Sequence, residues 1–137
     1  MDYRKEYEKW LASPALSEDE RNELKAIAND EKEIENRFYG PLEFGTAGLR
    51  GTMYVGLHNM NRHVIRWATQ GFANVIRAEG TEAMQKGIAV CMDCRNHSAE
   101  FARETACVMA ANGIHVRLFE SLRPTPELSF AVREYGC

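Results

Sequence analysis

The sequence predicts an α/β protein: a three-layer α/β/α domain around a mostly parallel mixed sheet, preceded by a helical extension. After residue 41, apolar or alternating runs are each followed by a stretch with apolar residues every three or four positions. Strands that alternate with helices favour a parallel sheet covered on both faces. No strand follows the last helical stretch, so we expect the sheet to be incomplete.

Residues 1–41 form the predicted helical extension. A first helix over 3–12 is indicated by one apolar face, which holds Tyr3, Tyr7, Trp10 and Leu11. Ser17 and Glu20 have the spacing of a capping box, which marks the start of a second helix. Apolar residues then recur at steps of three and four as far as Phe38, and this pattern predicts one long helix over 18–38.

Residues 42–137 form the predicted α/β domain. Its strand candidates are residues 49–57, 88–92 and 114–119. Its helices have local start and stop signals: an Asn61 cap and Gly80, an Asn96 or Ser98 cap and Asn112-Gly113, and Thr125-Pro126 and Gly136. Each helix would cover the sheet formed by the strands around it.

Composition limits the classes of function. The net charge of −3 provides no basic stripe for nucleic acid, and no apolar run approaches the length that spans a bilayer. The charged N-terminus has no apolar signal core, so we expect a cytoplasmic protein with reduced cysteines.

Cys91 and Cys94 form a lone C-x-x-C pair, which is open to three interpretations. A redox pair belongs at a helix N-terminus, whereas Cys91 lies in an apolar strand run. A zinc site would need His97 and one further ligand, and no second pair supplies it. We therefore expect ordinary core cysteines, and no metal site.

A glycine-rich stretch, Phe44-Gly45-Thr46-Ala47-Gly48-Leu49-Arg50-Gly51-Thr52, is the first candidate for chemistry. Glycine lets backbone N–H groups approach an anion, and the arginine fork matches phosphate oxygens. We predict phosphate contacts at Thr46, Gly48 and Arg50. The alternative is a tight turn with a surface arginine, and the glycine spacing alone does not decide between the two.

Two further candidate loops follow predicted strands. Asp93 and Arg95 come after the second strand candidate, and Arg123 comes after the third. Ligands of open α/β sheets bind outside the carboxyl ends of strands. Asp93 and Arg95 could instead pair with neighbours, and Arg123 could simply begin a rigid helix. Together the loops predict an anionic ligand, a phosphorylated metabolite, without specifying a reaction.

The stretch Phe44–Gly51 resembles the opening signature of the α-D-phosphohexomutases. Several other stretches resemble the phosphoglucomutase/phosphopentomutase branch: Glu31–Glu43, Asn59-Met60-Asn61, Ala68–Gly71, Asp93–Ser98 and Arg123–Val132. The resemblance covers almost the whole chain. It implies the N-terminal domain I of a four-domain enzyme, with the domain at 42–137 truncated before the phosphoserine loop.

The resemblance implies a phosphosugar mutase. A phosphoryl group would move between C1 and C6 of a hexose, or C1 and C5 of a pentose, through a phosphoserine and a sugar bisphosphate. The implied cofactors are Mg²⁺ and glucose 1,6-bisphosphate, and the implied partners are a sugar phosphate and the other domains of the enzyme. Arg50 would lie near the phosphoserine as a catalytic residue, and Arg95 would support the same region.

One departure from the family pattern decides what this chain can do by itself. The family's T-A-S-H-N-P serine loop is missing from the sequence, so we expect the 137-residue chain to have no mutase activity and no bound cofactor. Two alternatives stay open: a non-catalytic module that binds sugar phosphates, and a C-x-x-C redox protein.

Overall fold

The computed structural model describes residues 2–46 and 48–137, which form two compact units, Met1–Val64 and Ile65–Cys137. The helices of the described residues are α1 Tyr3–Leu11, α2 Glu18–Ala26, α3 Glu31–Phe38, α4 Arg62–Ala78, α5 Thr81–Lys86, α6 Ser98–Ala111 and α7 Thr125–Tyr135. The strands are β1 Phe44–Gly45, β2 Gly48–Leu49, β3 Ile88–Val90 and β4 Val116–Leu118. None of the helices in the described part of the chain has the length and apolar character required to cross a membrane.

The core of the first unit lies between its helices. Its buried side chains are Tyr7, Leu16, Leu24, Ile34, Phe38 and Val55. Phe38 is fully buried, and the rings of Tyr7 and Trp10 pack edge-on against it at centroid distances of 5.7 Å. Edge-to-face packing of this kind adds to the hydrophobic gain from burial. The first helix and the capping box of Ser17 and Glu20 are confirmed.

The single helix predicted over 18–38 is wrong, because the chain forms two helices there. Helix α2 ends at Ala26, and α3 begins after Asp30, whose carboxylate accepts a 3.0 Å hydrogen bond from the Glu33 N–H. A side-chain cap satisfies one of the free N–H groups at a helix start, so Asp30 begins a new helix where the apolar spacing suggested continuity.

The strand predicted over 49–57 is also largely wrong. Only Gly48–Leu49 is extended, and it pairs antiparallel with Phe44–Gly45. Further along, the Val55 N–H donates to a carboxylate oxygen of Glu23 at 2.9 Å, and the Val55 carbonyl accepts from Arg37 at 3.4 Å. Buried backbone groups need partners, and here side chains provide them in place of a neighbouring strand.

The second unit is an α/β/α arrangement around a small parallel sheet. Strands β3 and β4 pair in parallel, with Ile88 opposite Val116 and Ala89 opposite Arg117. One face of the sheet packs on α4, α5 and α6, whose core residues Ala73 and Met109 are fully buried. Successive strand residues face opposite ways. Arg117 therefore points away from that core, and its guanidinium lies over the Tyr135 ring of α7.

The helix limits in this unit follow the sequence signals with two exceptions. The Asn112-Gly113 and Gly136 stops are confirmed, and both glycines have positive φ. Helix α5 was not predicted. The predicted Asn96 or Ser98 cap of α6 is wrong: His97 occupies the cap position in the left-handed conformation and makes no side-chain cap bond.

Candidate functional site

The β1–β2 hairpin carries the predicted phosphate residues Thr46, Gly48 and Arg50. Gly48 has a φ of +88°, a conformation that favours glycine, and Gly45 pairs with it across the hairpin. Thr46 is exposed in the turn, and Ala47 lies outside the described residues. The hairpin thus exposes backbone and a hydroxyl beside the arginine.

Arg50 is exposed, and its side chain folds back over its own hairpin. A Cβ atom built on Gly45 would lie 3.2 Å from Nη2 of Arg50. Within residues 2–46 and 48–137, no hydrogen bond or ion pair engages the guanidinium of Arg50. An uncommitted arginine fork next to glycine backbone is suited to bind a phosphate group.

Asp93 and Arg95 form the loop between β3 and α6. The Asp93 carboxylate accepts a 3.1 Å hydrogen bond from the Arg95 N–H and a 2.7 Å hydrogen bond from Arg95 Nε. Those bonds, the backbone one first, hold the pKa of Asp93 below its usual value. The Ser98 hydroxyl accepts from the Asp93 N–H at 3.1 Å, which ties the loop to the start of α6. Asp93 and Arg95 are therefore paired with each other, as in the alternative that the sequence left open.

Arg123 lies beside this loop. Its backbone N–H donates a 3.0 Å hydrogen bond to the Met92 carbonyl, next to Asp93. Its guanidinium pairs with Glu127 at 2.8 Å, one turn into α7. The chain beyond the carboxyl end of β4 therefore runs next to the chain beyond the carboxyl end of β3. The structure brings Asp93, Arg95 and Arg123 into one region, as the strand order predicts.

Arg95 and Arg123 differ from Arg50 in being ion-paired, yet both stay accessible. The Arg95 side chain is 82% exposed and the Arg123 side chain is 40% exposed. An exposed ion pair is weak, because solvent screens it. An incoming phosphate can therefore compete for either guanidinium at little cost.

The cysteine pair shows no feature of a redox centre. Burial, with a contribution from the Asp93 charge, raises the pKa of the Cys91 thiol, whereas reactive cysteines have lowered values. Both thiols are free; Cys91 is half-buried and Cys94 is exposed. The expectation that both are core residues is therefore wrong for Cys94, which lies in the loop after the strand.

Sequence reasoning assigned no supporting role to the residues that hold the hairpin in place. Asn59 and Asn61 are buried, and their side-chain amides bond to the segment that follows Arg50. Asn61 was expected to cap α4, a role it fills by accepting from the N–H groups of His63 and Val64, and Asn59-Met60-Asn61 was noted only for its family resemblance. The N-x-N spacing is the one sequence signal that could have identified them as a set.

A family model described as phosphoglucomutase/phosphomannomutase, alpha/beta/alpha domain I, matches residues 41–137. Human phosphopentomutase is 39% identical over 113 residues, covering 77% of this chain and 18% of the human protein. Phosphoglucomutase of Staphylococcus saprophyticus is 37% identical over 103 residues, covering 75% of this chain and 18% of that protein. Phosphomannomutase of Mycoplasma pneumoniae is 30% identical over 132 residues, covering 95% of this chain and 24% of that protein.

No solved structure matches the chain significantly. The chain spans about a fifth of the length of the curated relatives it matches. The family model covers most of the chain, including the glycine-rich hairpin and both strand-end loops. This chain therefore belongs to the phosphoglucomutase/phosphomannomutase family of α-D-phosphohexomutases and contains its N-terminal α/β/α domain.

Proposed function

We propose that this chain is the N-terminal part of a phosphosugar mutase and that it supplies groups that bind phosphate. The reaction would move a phosphoryl group between C1 and C6 of a hexose phosphate, or C1 and C5 of a pentose phosphate. It would pass through a phosphoserine and a sugar bisphosphate such as glucose 1,6-bisphosphate. The relatives named phosphopentomutase, phosphoglucomutase and phosphomannomutase support this substrate class.

The assignment of residues rests on one observation: the guanidinium of Arg50 is exposed and forms no hydrogen bond or ion pair with any described residue. Phosphoryl transfer needs positioning and stabilisation of negative charge more than covalent chemistry from the protein. A free arginine fork supplies that stabilisation without first breaking an ion pair. Arg50 is therefore the catalytic residue of the proposal, and Thr46 and Gly48 are its companions on the hairpin.

Asp93, Arg95 and Arg123 would hold an anionic substrate group. The Asp93 carboxylate accepts from the Arg95 N–H and from Arg95 Nε, which holds the Arg95 guanidinium beside the loop while leaving it accessible. The N-terminus of α6 begins at Ser98 on the same loop, and helix N-termini favour anions. These features support an anion subsite at the carboxyl ends of β3 and β4.

The acceptor serine and the Mg²⁺ ligands belong, in this proposal, to other parts of the enzyme. Among the residues that the structure describes, no three His, Cys, Asp or Glu side chains are grouped to hold a metal ion. When bound, Mg²⁺ would supply charge neutralisation at the phosphoserine. The proposal assigns it no ligand in residues 2–46 or 48–137.

The test is a coupled assay on two proteins. The first is the product of the complete reading frame that contains this sequence, and the second is the 137-residue chain. With Mg²⁺ and glucose 1,6-bisphosphate, we expect the first to convert glucose 1-phosphate or ribose 1-phosphate, and the second to convert neither. Phosphate binding without conversion by the complete protein would favour a non-catalytic sugar-phosphate module instead. Robust conversion by the 137-residue chain would falsify the assignment of the acceptor serine to another part of the protein.

A further inference from the structure

We propose that Thr52 and Asn59 are positioning residues that hold Arg50 in place for phosphoryl transfer. The inference rests on the proposed function and deepens it, because it assigns a role to residues outside the phosphate-contacting set. The inference is based on the hydrogen bonds that attach the segment after the hairpin to the hairpin itself.

Thr52, two residues after Arg50, is bonded through its backbone and its side chain. The Thr52 carbonyl accepts from the Met60 N–H at 2.9 Å, and the Thr52 hydroxyl accepts from Nδ2 of Asn59 at 2.6 Å. Thr52 is itself exposed, whereas Asn59 is only 4% exposed. A buried amide therefore fixes an exposed turn at the point where the chain leaves Arg50.

The entry to the hairpin is fastened to the same segment. The Leu42 N–H donates to the Leu57 carbonyl at 3.2 Å. Between the two attachments, a Cβ built on Gly51 would lie 3.2 Å from a methyl carbon of Leu42 and 3.6 Å from the His58 carbonyl oxygen. Gly51, the residue next to Arg50, therefore has little room for a side chain between the two attachments, which we call the clamp: the Leu42–Leu57 bond and the bonds of Thr52 to Asn59 and Met60.

The segment that provides the clamp is held together by the side chain of Asn61. The Asn61 amide donates to the carbonyls of Tyr54, Gly56 and Asn59, at 3.0, 2.8 and 3.3 Å. Oδ1 of the Asn61 side chain accepts from the N–H groups of His63 and Val64 in the first turn of α4. Asn59 is therefore held by its neighbour, and Thr52 is held by Asn59.

Asn59 also has a feature that packing alone does not explain. Its Oδ1 is buried and has no hydrogen-bond partner among the described residues. Buried polar atoms are nearly always paired, so an unpaired one calls for a specific explanation. An apolar side chain at 59 would avoid the unpaired oxygen, but it would lose the bond to Thr52. The clamp gives a physical reason for an asparagine at this position.

The experiment is a double-mutant cycle in the complete enzyme, with Thr52→Val and Arg50→Ala. If Thr52 acts through Arg50, Thr52→Val lowers kcat/KM about tenfold when Arg50 is present and has less than about a twofold effect when residue 50 is alanine. Thr52→Ser, which keeps the hydroxyl, stays within about twofold of the parent. Asn59→Ala, which removes the donor and the unpaired oxygen together, behaves like Thr52→Val.

The matched control is Thr69→Val, which removes a buried threonine hydroxyl that lies 3.4 Å from the Thr105 hydroxyl. We expect its effect on kcat/KM to be small and independent of residue 50. Equal losses from Thr52→Val in both backgrounds, or a loss of thermal stability with unchanged kcat/KM, would overturn the positioning role. A parent enzyme that converts no sugar phosphate would instead refute the proposed function, and with it the role of the clamp.

Discussion

Nη2 of Arg50 lies where a side chain at Gly45 would crowd it, 3.2 Å from the position of a Cβ atom on that glycine. Gly45 pairs with Gly48 across the hairpin, so the guanidinium rests on a strip of bare backbone. In this site, glycine leaves room for the arginine as well as for a ligand. We therefore expect that alanine at position 45 leaves the hairpin folded but displaces the Arg50 guanidinium.

Gly45→Ala therefore tests the placement of Arg50 without removing its charge. We expect turnover of the complete enzyme to fall about tenfold, because misplaced catalytic groups lose rate steeply. The unfolding free energy should change by less than about 1 kcal/mol, because the crowded atom ends a flexible side chain. Gly71→Ala is the control, since a Cβ there meets nothing within 4 Å and should leave turnover unchanged. Equal losses of turnover from both variants would contradict the prediction.

Arg50→Ala should lower turnover more than any other single arginine change in this chain. A charge-assisted phosphate contact contributes about 2.7–4 kcal/mol to the transition state, which corresponds to a loss of kcat of roughly a hundredfold to a thousandfold. Arg50→Lys should restore only part of the rate, because an ammonium lacks the planar fork. Steady-state kinetics measure both variants, with Arg103→Ala, a change at another exposed arginine, as the control. Unchanged turnover with reduced thermal stability would favour the tight-turn alternative.

Features encoded within a few residues could be predicted from the sequence. The capping box of Ser17 and Glu20, the Asn61 cap and the Gly113 and Gly136 stops are local signals, and each lies where it was expected. The order of strands and helices also indicated that the loops carrying Asp93 and Arg123 lie side by side. These predictions hold because local hydrogen bonds and periodicity depend little on the rest of the chain.

Features that depend on distant partners could not be predicted. Val55 bonds to Glu23, 32 residues earlier, so an apolar segment that resembles a strand is drawn into a loop. Arg37 reaches Glu23 across 14 residues and stacks over Tyr54. The buried Arg37 guanidinium needs partners for its charge, and no rule of spacing in the sequence identifies them. The Thr52–Asn59 clamp was missed for the same reason.

Asp93→Asn and Arg95→Ala should not have independent effects. The Asp93 carboxylate orients both the N–H and Nε of Arg95, so either change disrupts the same loop. We expect each single variant to raise KM for the sugar phosphate several-fold, and the double variant to be no worse than Arg95→Ala, as for two groups in one network. Initial-rate kinetics on the parent, the two single variants and the double variant measure whether the effects are independent. Multiplicative losses would show that the two residues act separately.

Replacement of Cys91 and Cys94 by serine should leave catalysis intact. Burial raises the pKa of Cys91, so little thiolate is present at neutral pH, and Cys94 is simply exposed. We expect kcat/KM of the double variant to lie within about twofold of the parent under reducing and oxidising conditions. Mass spectrometry after brief alkylation should find Cys94 labelled before Cys91. A parent activity that depends on the redox potential, and is lost in the variant, would revive the redox alternative.

Glu20 should make the first unit sensitive to acid. Partial burial alone would raise the pKa of Glu20, but hydrogen bonds from Arg62, the Ser17 N–H and His63 outweigh it and lower the pKa to about 2. The charged form is thus favoured by folding. Its contribution is complete above the ordinary value of 4.5 and is lost as pH falls towards about 2. We expect this contribution to be on the order of 1–2 kcal/mol, since solvent partly screens the carboxylate.

Chemical denaturation of parent and Glu20→Gln proteins between pH 7 and pH 2 measures that contribution directly. Glutamine cannot be ionised, so the variant should be less stable than the parent at pH 7, and the difference should shrink as the pH falls below 4.5. Glu18→Gln is a suitable control, because Glu18 lies in the same first turn of α2 but is exposed. A stability difference between parent and Glu20→Gln that stays constant over the whole pH range would mean that the carboxylate charge is not what joins α2 to the start of α4.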